Sequence, residues 1–174
     1  MKYLNLKYQM KTSRLKISVS GAPATARRMV AKLRSAARML GVTGGEWSIS
    51  LVDDHTMGQL HARTMNIPTT TDVLTFDLGD GVAGCETRQH IELDTVICID
   101  EACRRAAEFD HAVDREILLY AVHSLLHVVG YDDTTPAKFR AMHAREDEIL
   151  TALGVGPVFA KTTPPKESRK KVRR

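Results

Sequence analysis

The 174 residues, 43% of them hydrophobic, fit one ordinary domain with a buried core. The net charge of +4 conceals an acidic body, −7 over residues 17–160, between basic ends of +5 (residues 1–16) and +6 (residues 161–174). The longest apolar segment, residues 117–129, is too short and too broken by histidine to cross a bilayer, and the first ten residues lack a signal peptide's apolar run; both point to a cytoplasmic protein with no membrane partner.

Residues 15–20 alternate and predict a strand; residues 24–40, with Ala, Arg and Leu at helical spacing, predict a helix closed by Gly41. A second strand is expected at 46–54 and a short helix at 55–66, capped by Asp53 or Asp54. After a turn at 67–71, the β-branched and aromatic run 72–78 predicts a third strand. A glycine-rich loop, 79–89, leads to a fourth strand at 90–100. That loop has no helix start with lysine behind it, so it is not a phosphate-binding P-loop. Helices follow at 101–109, 113–129 and 137–154. The order predicts an α/β (α+β) domain, a small mixed four-stranded sheet packed with about five helices, with helix 113–129 central. Strands 72–78 and 90–100 should pair antiparallel, and two β-α-β units should give parallel neighbours. The domain is expected to span residues 1–160. Residues 161–174, Pro-Pro followed by a basic run, cannot pack a core and read as a disordered tail, either an RNA-binding arm or a solubilising one. Three cysteines, Cys85, Cys98 and Cys103, odd in number and without CxxC spacing, suggest reduced thiols. His55, His61, His90 and His111 are expected in solvent, and Trp47, Met29, Met39 and Met142 in packing roles.

The chemistry concentrates in residues 121–133, AVHSLLHVVGYDD. On a helix turning 100° per residue, Val113, Ile117, Leu118, Ala121, Leu125 and Val128 form the core stripe, whereas His123 and His127 lie beside it with Glu116 and Tyr120. Imidazoles four apart can aim at one ion, and Gly130 lets the chain reverse so that Asp132 or Asp133 returns to them. Two nitrogens and one carboxylate oxygen leave a fourth position for water, the arrangement of a catalytic zinc site. An accidental i, i+4 histidine pair is the bland alternative, and either aspartate could instead cap the last helix, although Thr134 and Thr135 are better placed.

LLYAVHSLLHVVGYDD resembles the H-G-x-L-H-L-x-G-Y-D-H stretch of the YbeY-type endoribonucleases, or rRNA maturation factors. ISLVDDHTMGQLH, TTTDVLTFDL, DTVICIDEACRRAAEF and MHAREDEIL resemble further segments of that family in the same order, covering residues 46–153. The resemblance implies one metal per chain, zinc or another divalent transition ion, held by His123, His127 and, where the family has a third histidine, Asp133. Ser124 replaces the usual glycine, small for small. Thr64 and Met65 stand where the family has Tyr-Arg, which leaves Arg63 as the nearest substitute for a cleft arginine. The implied activity is hydrolysis of RNA phosphodiesters in rRNA maturation, in 16S processing and ribosome quality control, with RNA and the ribosome as partners. The strand would lie between helix 113–129 and strand 72–78, with His143, Glu116 or Asp132 as candidate general base, or Asp132 orienting an imidazole. Two other readings are a ribosome-assembly or RNA-binding factor of this fold with impaired catalysis, and a zinc metalloprotease. The protease lacks its glutamate, because Ser124 follows His123.

Overall fold

A computed structural model describes residues 14–21, 23–79 and 88–159; Cys85, most of the glycine-rich loop, residues 1–13 and the tail 161–174 lie outside them. Strand β1, Lys16–Ser20, leads through helix α1, Pro23–Met39, to strand β2, Gly44–Val52. Helix α2, Asp54–Met65, begins where the Asp53 carboxylate accepts from the Thr56 N–H at 2.8 Å, satisfying one of the unpaired amides of the first turn. Strands β3, Val73–Asp77, and β4, His90–Cys98, form a hairpin, and helix α3, Ile99–Glu108, starts directly at the end of β4. Helix α4, Val113–Val128, and helix α5, Pro136–Ala152, complete the described chain. Thr135 caps α5 by accepting from the Lys138 N–H.

The strands are ordered β1-β2-β4-β3, with β1, β2 and β4 parallel and β3 antiparallel on the edge. The antiparallel pair is as expected. Only the first β-α-β unit joins parallel neighbours: β4 inserts between β2 and β3, so β2 and β3 run in opposite directions. The nine-residue register of β2 on β4 sets this order, matching Trp47 to Leu93 and Leu51 to Ile97 on one buried face. Gly45 permits the close approach; with φ of 104°, a Cβ there would stand 1.9 Å from the Ile91 carbonyl oxygen.

Trp47, Ile49, Leu93 and Ile97 pack under α4 together with Leu33 of α1 and Ile149 of α5, in one main core. Opposite side chains of β3 and β4, Leu74 and Cys98, meet Met57 of α2 in a smaller one. Trp47 and Met142 are fully buried, Met29 nearly so, and Met39 packs at the edge. Cys98 and Cys103 are free thiols. From Glu116 to Val128 every residue of α4 is buried except His123 and His127. A helix apolar on nearly all sides belongs in the interior, and beyond its first turn the partial exposure is confined to two imidazoles.

A buried polar line fixes the rotation of α4. The Trp47 indole N–H donates to Thr95 Oγ1 at 3.0 Å, Thr95 and Ser124 share a hydroxyl contact of 2.8 Å, and Thr75 Oγ1 donates to Ser124 Oγ at 2.9 Å. Ser124 thus ties α4 to the sheet, while its neighbour His123 points elsewhere. No described helix is long and apolar enough to cross a membrane.

Candidate metal centre

The end of α4 builds the site. Gly130, at φ of 100°, turns the chain out of the helix; its N–H bonds the His127 carbonyl at 3.1 Å, and the Tyr131 N–H bonds the Leu126 carbonyl at 2.9 Å. This pair of bonds is the Schellman ending, which glycine permits because it tolerates a left-handed backbone. The reversal brings two groups back to the histidines. The Tyr131 carbonyl sits 3.2 Å from His127 Nδ1, and the Asp133 carboxylate joins the imidazoles so that one donor atom from each of His123, His127 and Asp133 lies within 4.8 Å of the others.

The hydrogen-bond partners fix the tautomers. A carbonyl only accepts, so His127 Nδ1 carries a proton. Glu146, fully buried, receives His123 Nδ1 at 2.7 Å and His143 Nδ1 at 2.5 Å on its two oxygens. With both Nδ1 atoms committed as donors, the Nε2 atoms of His123 and His127 face each other across 3.1 Å, placed to share either a proton or a metal ion. Two neutral Nε2 atoms at that separation need a cation between them, a proton on one ring or a metal ion in its place. Two nitrogens about 2.05 Å from a tetrahedral ion would be about 3.3 Å apart, so the spacing fits a metal. The donor set fits as well: two neutral imidazoles and a carboxylate suit a divalent ion, and Glu146 and the Tyr131 carbonyl supply the outer hydrogen bonds that orient ligating histidines.

The electrostatics agree. Burial opposes a charged His123 most strongly, but the hydrogen bond and charge of Glu146, with Asp72 and Asp133 behind them, outweigh it and raise the pKa above the usual imidazole value. The site therefore attracts positive charge.

Asp132 does not orient an imidazole. Its carboxylate accepts from the Thr134 N–H, the Thr134 hydroxyl and Lys138 Nζ at 2.8–2.9 Å, which fastens the turn to α5 and holds the acid well below the usual carboxylate range. Arg63 is exposed in the last turn of α2 and does not line the cleft beside the site; Met65, 56% exposed, does not replace it. Arg105 and Arg115 line that cleft instead. β3 packs directly on α4 through Thr75 and Ser124, so the open space lies elsewhere than between them. A cleft of ≈ 550 Å³ runs from His123 along α4, walled by the end of α3, by α5 and by Phe159, with Asp72 at its β3 side. His143 and Glu116 both line it. His143 stacks on Phe159 with ring centroids 3.7 Å apart. Glu116 is 3% exposed beside Tyr120, whose phenol is held protonated by burial and by that carboxylate. His111, expected in solvent, is instead largely buried with Nε2 3.0 Å from Glu116 Oε1, because the α3–α4 turn folds inward over the cleft.

Glu146 is the residue that spacing did not single out. It sits in the MHAREDEIL segment, whose buried positions Met142, Glu146, Ile149 and Leu150 form a helical stripe. An acid on an apolar stripe is the signal that would have found it, since a buried carboxylate requires partners.

The family model for endoribonuclease YbeY matches residues 7–154. The chain is 38% identical over 135 residues to the endoribonuclease YbeY of Thermobifida fusca, an alignment covering 75% of this chain and 87% of that one. It is 38% identical over 112 residues to the Salinibacter ruber protein of that name (63% and 71% covered) and 34% over 138 residues to the Moorella thermoacetica protein (71% and 83%). Among solved structures, that of TM1509 from Thermotoga maritima superposes with a TM-score of 0.54 at 19% identity, covering 88% of this chain and 99% of that one, which establishes a shared fold.

Proposed function

Because the chain belongs to the endoribonuclease YbeY family, we propose that it hydrolyses RNA phosphodiesters in rRNA maturation at a single-metal site made by His123, His127 and Asp133. The observation that carries the site is the convergence of the two Nε2 atoms at 3.1 Å, with both Nδ1 protons already donated and an Asp133 oxygen within 4.8 Å. Zinc suits two imidazoles and a carboxylate, and the added negative charge relative to three histidines widens the choice to iron or manganese. A bound divalent ion supplies Lewis acidity toward a phosphodiester and its attacking water. The chain's own residues do the rest. Glu146 holds His123 at the angle that points Nε2 into the site, and the Tyr131 carbonyl does so for His127. The buried wall of α4 limits water around the pair, and the cleft beside His123 receives the RNA. His143, on the cleft wall with Nδ1 bound to Glu146, is the best-placed side chain to hold or accept a proton there. The basic ends, residues 1–16 and 161–174, add sequence-independent attraction for RNA and for the ribosome that carries it.

A protease reading has nothing to rest on at Ser124, which faces the sheet and not the site. A cleavage-impaired assembly factor is disfavoured by an assembled donor set with its outer carboxylate in place.

The test is metal analysis of the purified protein with an RNA cleavage assay. One equivalent of a transition metal is expected in the wild type and a loss of both metal and cleavage in Asp133→Ala and His123→Ala; a chelator should stop cleavage and added zinc restore it. Protein that cleaves RNA with no stoichiometric metal would overturn the site.

A further inference from the structure

A second cleft, ≈ 420 Å³, opens between α1 and the start of α4, with Arg28, Lys32 and Arg115 around it. His111 and Arg115 line both this cleft and the one that reaches His123. The cation they share is under-used. Arg115 donates one amino group to the neutral Pro157 carbonyl at 2.5 Å, its Nε is buried without a hydrogen-bond partner, and among the described residues no carboxylate pairs with it. Lys32 is exposed and also lacks a carboxylate partner among the described residues, whereas Arg28 is paired with Asp114 at 3.1 Å. A guanidinium held half inside a cleft with donors to spare lacks an anion, and its planar fork suits phosphate.

We propose that the two clefts form one track for single-stranded RNA, in which Arg115 and Lys32 hold a phosphate remote from the bond that is cut. This rests on the endoribonuclease reading above. Arg115 and His123 are eight residues apart on α4, about 12 Å along its axis at 1.5 Å per residue. A phosphate at Arg115 is therefore not the scissile one. The first cleft carries Asp72, Asp110 and Glu116, which repel phosphate, but also Phe109, 53% exposed, and Leu119. Bases suit that stretch, since an aromatic face stacks on any base, and the backbone is caught where the cations stand. The track thus fixes which part of a strand lies over the metal centre.

The experiment uses the full-length protein and a short fluorescein-labelled single-stranded RNA. Binding is followed by anisotropy with chelator present to stop cleavage, between about 50 and 200 mM salt; steady-state cleavage is followed with metal restored. The double variant Lys32→Ala/Arg115→Ala should bind about tenfold more weakly. The slope of log affinity against log salt should fall by about 0.7, the share of one phosphate contact on a single strand. KM should rise with it while kcat changes less than threefold. Arg115→Lys should keep most of the slope. Lys32→Glu, at an exposed position that cannot unfold the domain, should alone weaken binding about tenfold, and decides the matter should Arg115→Ala fail to fold. Wild-type affinity and slope in Lys32→Glu, in a protein that still cleaves RNA, would remove the track and leave the endoribonuclease standing. A wild type that neither binds nor cleaves RNA would remove both.

Discussion

Glu146 carries two imidazoles on one buried carboxylate, and its charge cannot be exchanged for an amide without consequence. Glu146→Gln keeps the shape but weakens the hold on His123; metal affinity should fall about 10- to 100-fold, read by competition with a chromogenic chelator. The same carboxylate governs the proton on His123. A pKa raised in the folded state means that the native protein binds that proton more tightly than the unfolded chain. In metal-free protein the resulting stabilisation is complete below about pH 6.5, the unfolded value, and disappears as pH rises through the higher native value. A proton NMR titration of the metal-free protein should place the His123 midpoint above about 6.5; a midpoint below it would show that burial defeats Glu146. His123, His127 and Asp133 were legible because all three fall within eleven consecutive residues. Glu146 escaped because its partnership spans 23 residues and a change of helix, which no local spacing encodes.

At the scale of elements, Ser124 shows how rotation of one helix is set by polar contacts in an otherwise apolar layer. Removing its hydroxyl leaves Thr95 and Thr75 short of a partner in the interior. Ser124→Ala should destabilise the protein by about 1–2 kcal/mol in denaturant unfolding, with metal stoichiometry unchanged because the turn at Gly130 and the Glu146 contact remain. In the wild type this serine is more than a small residue in place of another. The strands and helices themselves were readable from their periodicity and caps, Asp53 and Thr135 included. Strand ends shifted by one or two residues where an element follows at once, as Ile99 opens α3 directly after β4. The strand order was readable for the β3–β4 hairpin and the parallel β1–β2 pair, but not for the insertion of β4 beside β2. Pairing β2 with β4 joins residues more than forty apart, and both strands offer the same alternating face to several partners. The cleft lies along the expected helix and reaches the expected strand only at Asp72, because farther along β3 the Thr75 hydroxyl bonds Ser124, a contact between distant residues.

For the whole molecule, charge is arranged by region. An acidic body lies between basic ends, so the attraction for a polyanion is concentrated at the ends and along the cationic stretches of the body. Deleting residues 161–174 removes a net +6 and should weaken RNA binding several-fold at about 50 mM salt, with the difference shrinking toward about 200 mM. Metal content should not change, since every proposed ligand lies earlier in the chain. The closeness of those ligands in sequence has its own consequence for how the ion affects folding. The loop joining the donors is so short that an unfolded or nascent chain already closes it at little entropic cost. A chelate of that kind competes for the ion before the sheet has formed, and whatever the disordered chain captures is subtracted from the rise in melting temperature that loading can produce. The protein should then acquire its cofactor early and gain less thermal protection from it than the native affinity alone implies.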